Sequence, residues 1–138
     1  MIRFLLIIAV TVCAQQDSVL GIARIARVYD GDTFYADFYH LPAIFGKNLG
    51  VRLVGIDTPE MTSKDSCEKV LAREAKFFLE RKLIGACKVE LRSISRDKYF
   101  RLDAVIYADG LNLNQMMIDS GYAKPYTGAG SKPVFTCK

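Results

Sequence analysis

Carboxylates follow one apolar segment of the chain in an arrangement that suits a hard cation. Residues 52–56 are followed directly by Asp57-Thr58-Pro59-Glu60. Pro59 restricts Thr58 to an extended conformation, which turns the Thr58 carbonyl outward. Asp57, Glu60 and that carbonyl then place oxygen atoms near one point, as a hard oxygen-liganded cation requires. The alternative is a capped turn that leads into a helix.

Two other segments combine charge with turn residues. Residues 30–33 read Asp-Gly-Asp-Thr, and residues 96–101 read Arg-Asp-Lys-Tyr-Phe-Arg. Taken alone, the first is typical of a hairpin turn and the second of a solvated basic turn. His40 is the only histidine, so the sequence has no histidine cluster for zinc and offers no Ser/His or Cys/His pairing as a basis for nucleophilic catalysis. Chemistry based on a metal and carboxylates remains.

Periodicity predicts the elements that position these segments. An amphipathic helix is predicted over Cys67–Leu83, and a short one over Asn114–Ser120 with Asn114 as N-cap and Gly121 as stop. Five strands with a helix after the third predict an α+β fold, a five-stranded Greek-key OB-type barrel with two or three helices. The predicted strands are Ile22–Tyr29, Thr33–Tyr39, Val51–Ile56, Lys88–Ser93 and Leu102–Tyr107.

The composition favours one folded domain. The chain has 138 residues, 51% of them hydrophobic, and a net charge of +4 that mildly favours polyanionic partners. Arg3, the apolar run 4–12 and the small residues before position 15 predict a signal peptide over 1–14, hence a secreted or periplasmic domain over 18–138. An uncleaved anchor or a lipid-modified Cys13 are the alternatives.

The three charged segments, taken together and in this order, resemble the staphylococcal nuclease family. Its motifs are the Asp-Gly-Asp-Thr turn, a strand that runs from Arg to Asp-Thr-Pro-Glu, and an Asp-Lys-Tyr hairpin that bears an Arg. The likeness extends to Tyr107-Ala108-Asp109-Gly110, to residues 121–124 and to Tyr126. It therefore covers nearly the whole predicted mature chain.

The resemblance assigns a role to each matching residue. It implies Ca²⁺ bound by Asp32, Asp57 and the Thr58 carbonyl, with water completing the oxygen shell. It implies that Glu60 is a general base or orients the attacking water. The phosphate-gripping arginines are then Arg52 and Arg101, and the nucleotide pocket is lined by Lys98, Tyr99 and Tyr126.

The function that the resemblance implies is hydrolysis of phosphodiester bonds. Members of the family are calcium-dependent endonucleases that cut DNA and RNA on the 5′ side of the phosphate and leave 3′-phosphates. Single strands are the expected substrate, and a monomer without a stable membrane partner is the expected form. The rival is a non-catalytic OB module that binds nucleic acid or protein, for which eroded catalytic positions would be expected.

Four features depart from the family pattern or from simple periodicity. Phe100 stands where the family often has Gly, so the hairpin that aims Arg101 is expected to differ in shape. The segment 40–50 is expected to form a packed loop, with a lid or partner surface as the alternative. The chain has little room for a C-terminal helix after residue 126. Strict alternation puts Arg52 and Asp57 on opposite faces of one strand unless Gly55 bulges it.

Three cysteines remain after the predicted signal cleavage. Cys67 and Cys87 flank a helix of about 17 residues, about 25 Å long, which is far beyond disulfide reach. Cys87 shares the alternation of Val89 and Leu91, which predicts a buried free thiol. A Cys67–Cys137 bridge is then the expected pair, with three free thiols or an intermolecular bridge left open.

Overall fold

The computed structural model describes residues 19–137, so the predicted signal segment at 1–14 lies outside the described residues. Within the described part of the chain, no helix is long and apolar enough to span a membrane. The elements in chain order are β1 (Leu20–Val28), β2 (Thr33–Phe38), α1 (Ala43–Gly46), β3 (Leu49–Leu53), β4 (Ile56–Asp57), α2 (Ser66–Gly85), β5 (Val89–Arg96), β6 (Leu102–Ala108), β7 (Leu111–Asn112), α3 (Leu113–Asp119) and β8 (Lys124–Pro125).

Five of the strands close into a barrel. β1 pairs antiparallel with β2 and β5, β2 pairs with β3, and β5 pairs with β6. β3 and β6 then pair in parallel, with Arg52 opposite Asp103, and this seam closes the sheet on itself. The predicted five-stranded OB-type barrel with helices is therefore confirmed.

Apolar alternation and one helix face build the core. In β6, the side chains of Leu102, Ala104 and Ile106 are buried, whereas the residues between them are only half-buried. α2 packs against the same core through a face that includes Ala75 and Leu79. The helix begins where it does because the Asp65 carboxylate accepts a hydrogen bond from the Cys67 amide at 2.8 Å.

A turn interrupts the third predicted strand. β3 ends at Leu53, and Gly55 adopts a left-handed conformation with φ of +80°, which glycine alone tolerates without strain. The next strand, β4, pairs with β8 and not with the barrel, with Asp57 opposite Lys124. The turn resets the alternation of side chains, so the expected conflict between Arg52 and Asp57 does not arise.

Asn114 has a different role from the predicted one. α3 is capped by Asn112, whose side chain accepts a hydrogen bond from the Gln115 amide at 3.1 Å. The Asn114 side chain is buried instead. It accepts from the Ile106 amide at 2.9 Å and donates to the carbonyls of Val54 at 2.8 Å and Ala104 at 3.2 Å. This residue therefore ties β6 to the turn between β3 and β4. The predicted stop at Gly121 agrees with its φ of +79°.

The structure contradicts two other local predictions. Residues 40–50 are not a packed loop, because α1 leaves Ile44 83% and Phe45 57% exposed. Cys87 is free but exposed. It precedes β5, in a segment whose amides bond to the Asp109 carboxylate, so strand alternation does not extend to it.

The expected Cys67–Cys137 disulfide is present, with the two Cα atoms 5.9 Å apart. It joins the first turn of α2 to the end of the described chain. No helix forms after Tyr126 within the described residues. The bridge therefore fixes a C-terminal segment that has no regular secondary structure to hold it.

Candidate active site

One cleft of about 430 Å³ is lined by all the residues to which the family resemblance assigns a role. Its walls come from the β1–β2 turn, the end of β3, the segment after β4, the β5–β6 hairpin and the chain after β8. The nine predicted residues that line it are Asp32, Arg52, Asp57, Thr58, Glu60, Lys98, Tyr99, Arg101 and Tyr126.

The β1–β2 turn buries Asp32 against α2. The Asp32 amide donates to the Asp30 carboxylate at 3.1 Å, and the Asp32 carboxylate accepts from the Thr33 hydroxyl at 2.9 Å. Gly31 permits this packing, because a Cβ there would lie 2.8 Å from the Ala75 Cβ and 2.9 Å from the Thr58 side chain. The β1–β2 turn is therefore closely packed and fixes the Asp32 carboxylate, unlike a solvent-exposed hairpin turn.

Asp32 and Asp57 form a buried acidic pair. Burial raises the pKa of Asp32 to about 6, with a further rise from the charge of Asp30 and an opposing effect of Arg52. Burial also raises the pKa of Asp57, which Lys132 lowers and Asp32 raises further. Because burial disfavours the ionised form of both carboxylates, a cation bound beside them would be attracted strongly by their negative charges.

The donors in this part of the cleft suit a hard cation. Within residues 19–137, no three Asp, Glu, His or Cys side chains are grouped to hold a metal ion. The pair Asp32 and Asp57 provides anionic oxygens, and the buried Thr58 follows directly with its backbone carbonyl. An ion held here would take its remaining ligands from water or substrate, which Ca²⁺ accepts readily.

Two arginines reach the cleft from the barrel seam. Arg52 lies in β3 opposite Thr33 and Asp103, and its guanidinium is 3.7 Å from the Asp32 carboxylate. Arg101 directly precedes β6, and its aliphatic stem packs on Gly50, where a Cβ would lie 2.9 Å from the Arg101 Cγ. Both arginine side chains are only partly exposed, at 29% for Arg52 and 26% for Arg101.

Asp97 holds the hairpin that carries Arg101. One oxygen of its carboxylate accepts from the amides of Tyr99 at 2.8 Å and Arg101 at 2.9 Å, and the other accepts from the Arg101 guanidinium at 2.8 Å. Burial alone would raise the pKa of Asp97, but the hydrogen bonds from Arg101 and Tyr99 hold it below its usual value. A single ionised carboxylate therefore fixes both the backbone and the side chain of Arg101.

Phe100 adopts a positive φ that glycine takes readily, although its presence was expected to change the shape of this hairpin. Its φ is +67°, in the left-handed region that non-glycine residues seldom occupy. The Arg96 guanidinium lies 3.9 Å from the centre of the Phe100 ring, and the Phe100 amide donates to the Asp97 carbonyl at 3.2 Å. These contacts offset a conformational cost of about 1–2 kcal/mol.

Two further charged residues, one in the cleft and one beside it, could not be identified from any local sequence pattern. Lys132 lies in the cleft, with its ammonium 2.6 Å from the Glu60 carboxylate and 3.8 Å from that of Asp57. Asp103 lies beside Arg52 across the seam, and its Oδ1 is buried without a hydrogen-bond partner among the described residues. The expected Cys67–Cys137 bridge is the one prediction that bears on Lys132, because it holds the nearby C-terminal residues close to α2.

Comparison with known proteins agrees with this fold. Residues 50–134 match the family described as staphylococcal nuclease homologue. The chain is 31% identical to endonuclease YncB of Bacillus subtilis (strain 168) over 101 residues, which cover 71% of this chain and 44% of that protein. It is 31% identical to an uncharacterized endonuclease of Escherichia coli O157:H7 over 112 residues, 80% of this chain and 65% of the relative.

A third relative is the thermonuclease of Staphylococcus hyicus, 28% identical over 102 residues that cover 73% of this chain and 57% of that protein. The closed five-stranded barrel with helices defines an OB-type α+β fold. The chain belongs to the staphylococcal nuclease homologue family. It spans between 44% and 65% of the length of these relatives, and the family match begins at Gly50, after Asp32.

Proposed function

We propose that this chain is a calcium-dependent endonuclease that hydrolyses phosphodiester bonds of DNA and RNA. The observation that carries the proposal is the single cleft that unites a buried carboxylate pair, a further carboxylate and two arginines. Phosphodiester hydrolysis needs charge neutralisation, an oriented water and donors for the developing charge, and these groups suit those three tasks. The sequences named as endonuclease and thermonuclease support the same activity.

Each group has a defined task in the proposed reaction. Asp32, Asp57 and the Thr58 carbonyl would hold the Ca²⁺ ion, which would supply positive charge to neutralise the phosphate. Glu60 orients a water molecule and accepts its proton as the water attacks phosphorus. Arg52 and Arg101 donate to the phosphate oxygens with planar forks, which suit charge that builds on more than one oxygen. The bond between phosphorus and the 5′ oxygen breaks, the 5′ oxygen takes a proton from solvent and leaves as a hydroxyl, and the phosphate stays on the 3′ oxygen.

The nucleotide flanking the cut phosphate would rest against the β5–β6 hairpin. Tyr99 is 68% exposed, and the Lys98 ammonium lies 5.0 Å from the centre of its ring. An exposed aromatic ring stacks on an unpaired base without regard to its identity. Tyr126 lines the other side of the cleft, where its amide donates to the Gly55 carbonyl at 3.0 Å. These residues favour single strands of DNA or RNA, and we propose that the protein binds them as a monomer.

We also propose that residues 1–14 are a signal peptide and that the domain acts in a secreted or periplasmic form. The Cys67–Cys137 disulfide supports this proposal, because such bridges persist mainly in oxidising compartments.

The proposed function is tested by the metal dependence of cleavage. Purified protein should degrade single-stranded DNA in Ca²⁺, degrade it poorly in Mg²⁺ and leave it intact in chelator, because two carboxylates and one carbonyl form a loose site that suits the larger ion. The rate of strand cleavage in the three buffers measures this. A variant Asp57→Asn should lose the calcium response, whereas Asp119→Asn on α3 should keep it.

Two results would contradict the proposal. Equal cleavage in Ca²⁺ and in chelator would exclude metal-dependent hydrolysis at this site. Binding of the strand without cleavage in any metal would favour the non-catalytic OB module instead.

A second prediction concerns the carboxylate that holds Arg101. Asp97→Ala should lower the cleavage rate by about 10-fold, because Arg101 loses the partner that fixes its direction, and should cost about 1–3 kcal/mol of stability. Cleavage kinetics and chemical denaturation measure the two effects. Asp37→Ala is the matched control, since Asp37 likewise binds an arginine, Arg24, and a backbone amide, but lies outside the cleft. Equal activity of the two variants would show that Asp97 does not position Arg101.

A further inference from the structure

The chain after β8 runs along the cleft and ends at the disulfide. We call residues 127–137 the C-terminal strap. It turns at Gly128 and Gly130, whose φ angles are +87° and +78°. The Lys124 ammonium donates to the Val134 carbonyl at 2.6 Å, and the Tyr126 hydroxyl to the Gly130 carbonyl at 3.4 Å. Cys137 then anchors the far end to α2.

The C-terminal strap presents one ammonium group to the cleft. Lys132 donates to the Glu60 carboxylate at 2.6 Å and lies 3.8 Å from that of Asp57. Lys132 is positively charged at neutral pH, as lysine side chains ordinarily are. Both side chains of the pair are about half exposed, at 54% and 52%. An ion pair this accessible is worth about 0–1 kcal/mol, so a competing anion can separate it.

The charge balance of the cleft depends on this lysine. The acidic residues that line the cleft are Asp30, Asp32, Asp57 and Glu60, and the basic ones are Arg52, Lys98, Arg101 and Lys132. Four negative and four positive side chains cancel. Without Lys132 the lining has a net negative charge, which repels a phosphate backbone before any ion is bound.

We propose that Lys132 binds a phosphate of the nucleic-acid backbone, and that the Cys67–Cys137 disulfide holds the C-terminal strap in the position where it can do so. The proposal rests on the proposed nuclease function and adds to it a substrate contact outside the two arginines. A lysine suits this task, because its flexible stem lets the ammonium move from Glu60 to a nearby phosphate oxygen. The movement also releases Glu60, so substrate binding and exposure of the proposed base occur together.

The test compares DNA binding by the whole protein, by three variants, and by a fourth variant that combines the lysine and cysteine changes. The probe is a fluorescent oligothymidylate of about ten nucleotides, a length within the range that one OB barrel covers. Its Kd is measured in chelator over a range of salt concentrations, and in Ca²⁺ with a phosphorothioate-linked strand. The variants are Lys132→Met, Cys67→Ser/Cys137→Ser and the control Lys47→Met, which removes an exposed lysine outside the cleft.

Lys132→Met should raise Kd by about 5–10-fold at low salt and reduce the slope of log K against log salt by about 0.7, the share of one phosphate contact to a single strand. The double serine variant should raise Kd in the same way, and its effect should largely vanish when Lys132 is already Met. Lys47→Met should leave Kd and slope unchanged. Circular dichroism of each variant confirms that it folds.

Other outcomes overturn the proposal in distinguishable ways. Faster cleavage by Lys132→Met with an unchanged Kd and salt slope would mean that Lys132 only restrains Glu60. A normal Kd in the double serine variant would mean that the bridge does not position the C-terminal strap. If the unaltered protein binds the strand with the expected Lys132 effect but cleaves nothing, the proposed function fails and the phosphate contact stands. If it binds no strand, both fail.

Discussion

Replacing Glu60 by glutamine is expected to lower the rate of strand cleavage by at least about 10²-fold while calcium binding is retained. Glutamine keeps the shape of the side chain but cannot take a proton from the attacking water. Glu60 also stands apart from the buried acidic pair, because its side chain is 52% exposed whereas that of Asp57 is 5% exposed. Cleavage kinetics and calorimetric calcium titration measure the two properties separately.

The control for this experiment is Glu74→Gln, on the exposed surface of α2. It makes the same chemical change outside the cleft and should leave both properties intact. If calcium affinity collapsed in Glu60→Gln while turnover persisted, Glu60 would be a metal ligand and not the proposed base.

Replacing either arginine of the cleft by lysine is expected to lower the cleavage rate by about 10²-fold, the size of effect seen when one donor to a developing oxyanion is removed. Lysine keeps the positive charge but has neither the planar fork nor the reach of the guanidinium. Arg101→Lys should lower the rate further, because Arg101 lines the cleft and also donates a hydrogen bond from its Nε to the Asp97 carboxylate, which lysine cannot reproduce. Steady-state kinetics on single-stranded DNA measure both variants.

Arg24→Lys is the matched control, because Arg24 also forms a hydrogen-bonded pair with an aspartate but lies outside the cleft. A near-normal rate for Arg101→Lys alone would mean that the hairpin does not direct Arg101 at the phosphate. A near-normal rate for both variants would remove the arginines from the proposed reaction.

The barrel and most of the cleft could be predicted because their signals are local. Period-two alternation in β6, the Asp-Gly turn at Asp30 and the helical pattern of α2 each lie in one short segment. The nine selected residues come from segments far apart in the chain, and the resemblance to one family supplied their common place. Their arrival in one cleft is the result that periodicity alone could not give.

The errors concern residues whose surroundings depend on distant contacts. Asn114 has the sequence context of a helix cap, yet it satisfies buried backbone groups on β6 and beside β4, which only the closed barrel brings within its reach. Cys87 follows the alternation of β5 by position, but the Asp109 carboxylate draws its backbone out of the strand. Lys132 reaches the cleft from a segment that is held on one side by the pairing of β8 with β4 and on the other by the Cys67–Cys137 disulfide. Such contacts leave no periodic trace in the sequence.

The position of the two arginines links the order of folding to the proposed activity. Arg52 and the residue after Arg101 lie on opposite sides of the β3–β6 seam, the parallel pairing that closes the barrel. Pairings between segments so far apart in the chain carry a large entropic cost and tend to form late. In a newly made or partly unfolded chain, Arg52 and Arg101 are therefore held apart. The proposed cleavage would begin only once the β3–β6 seam has closed, so the activity would belong to the completed barrel and not to any part of it.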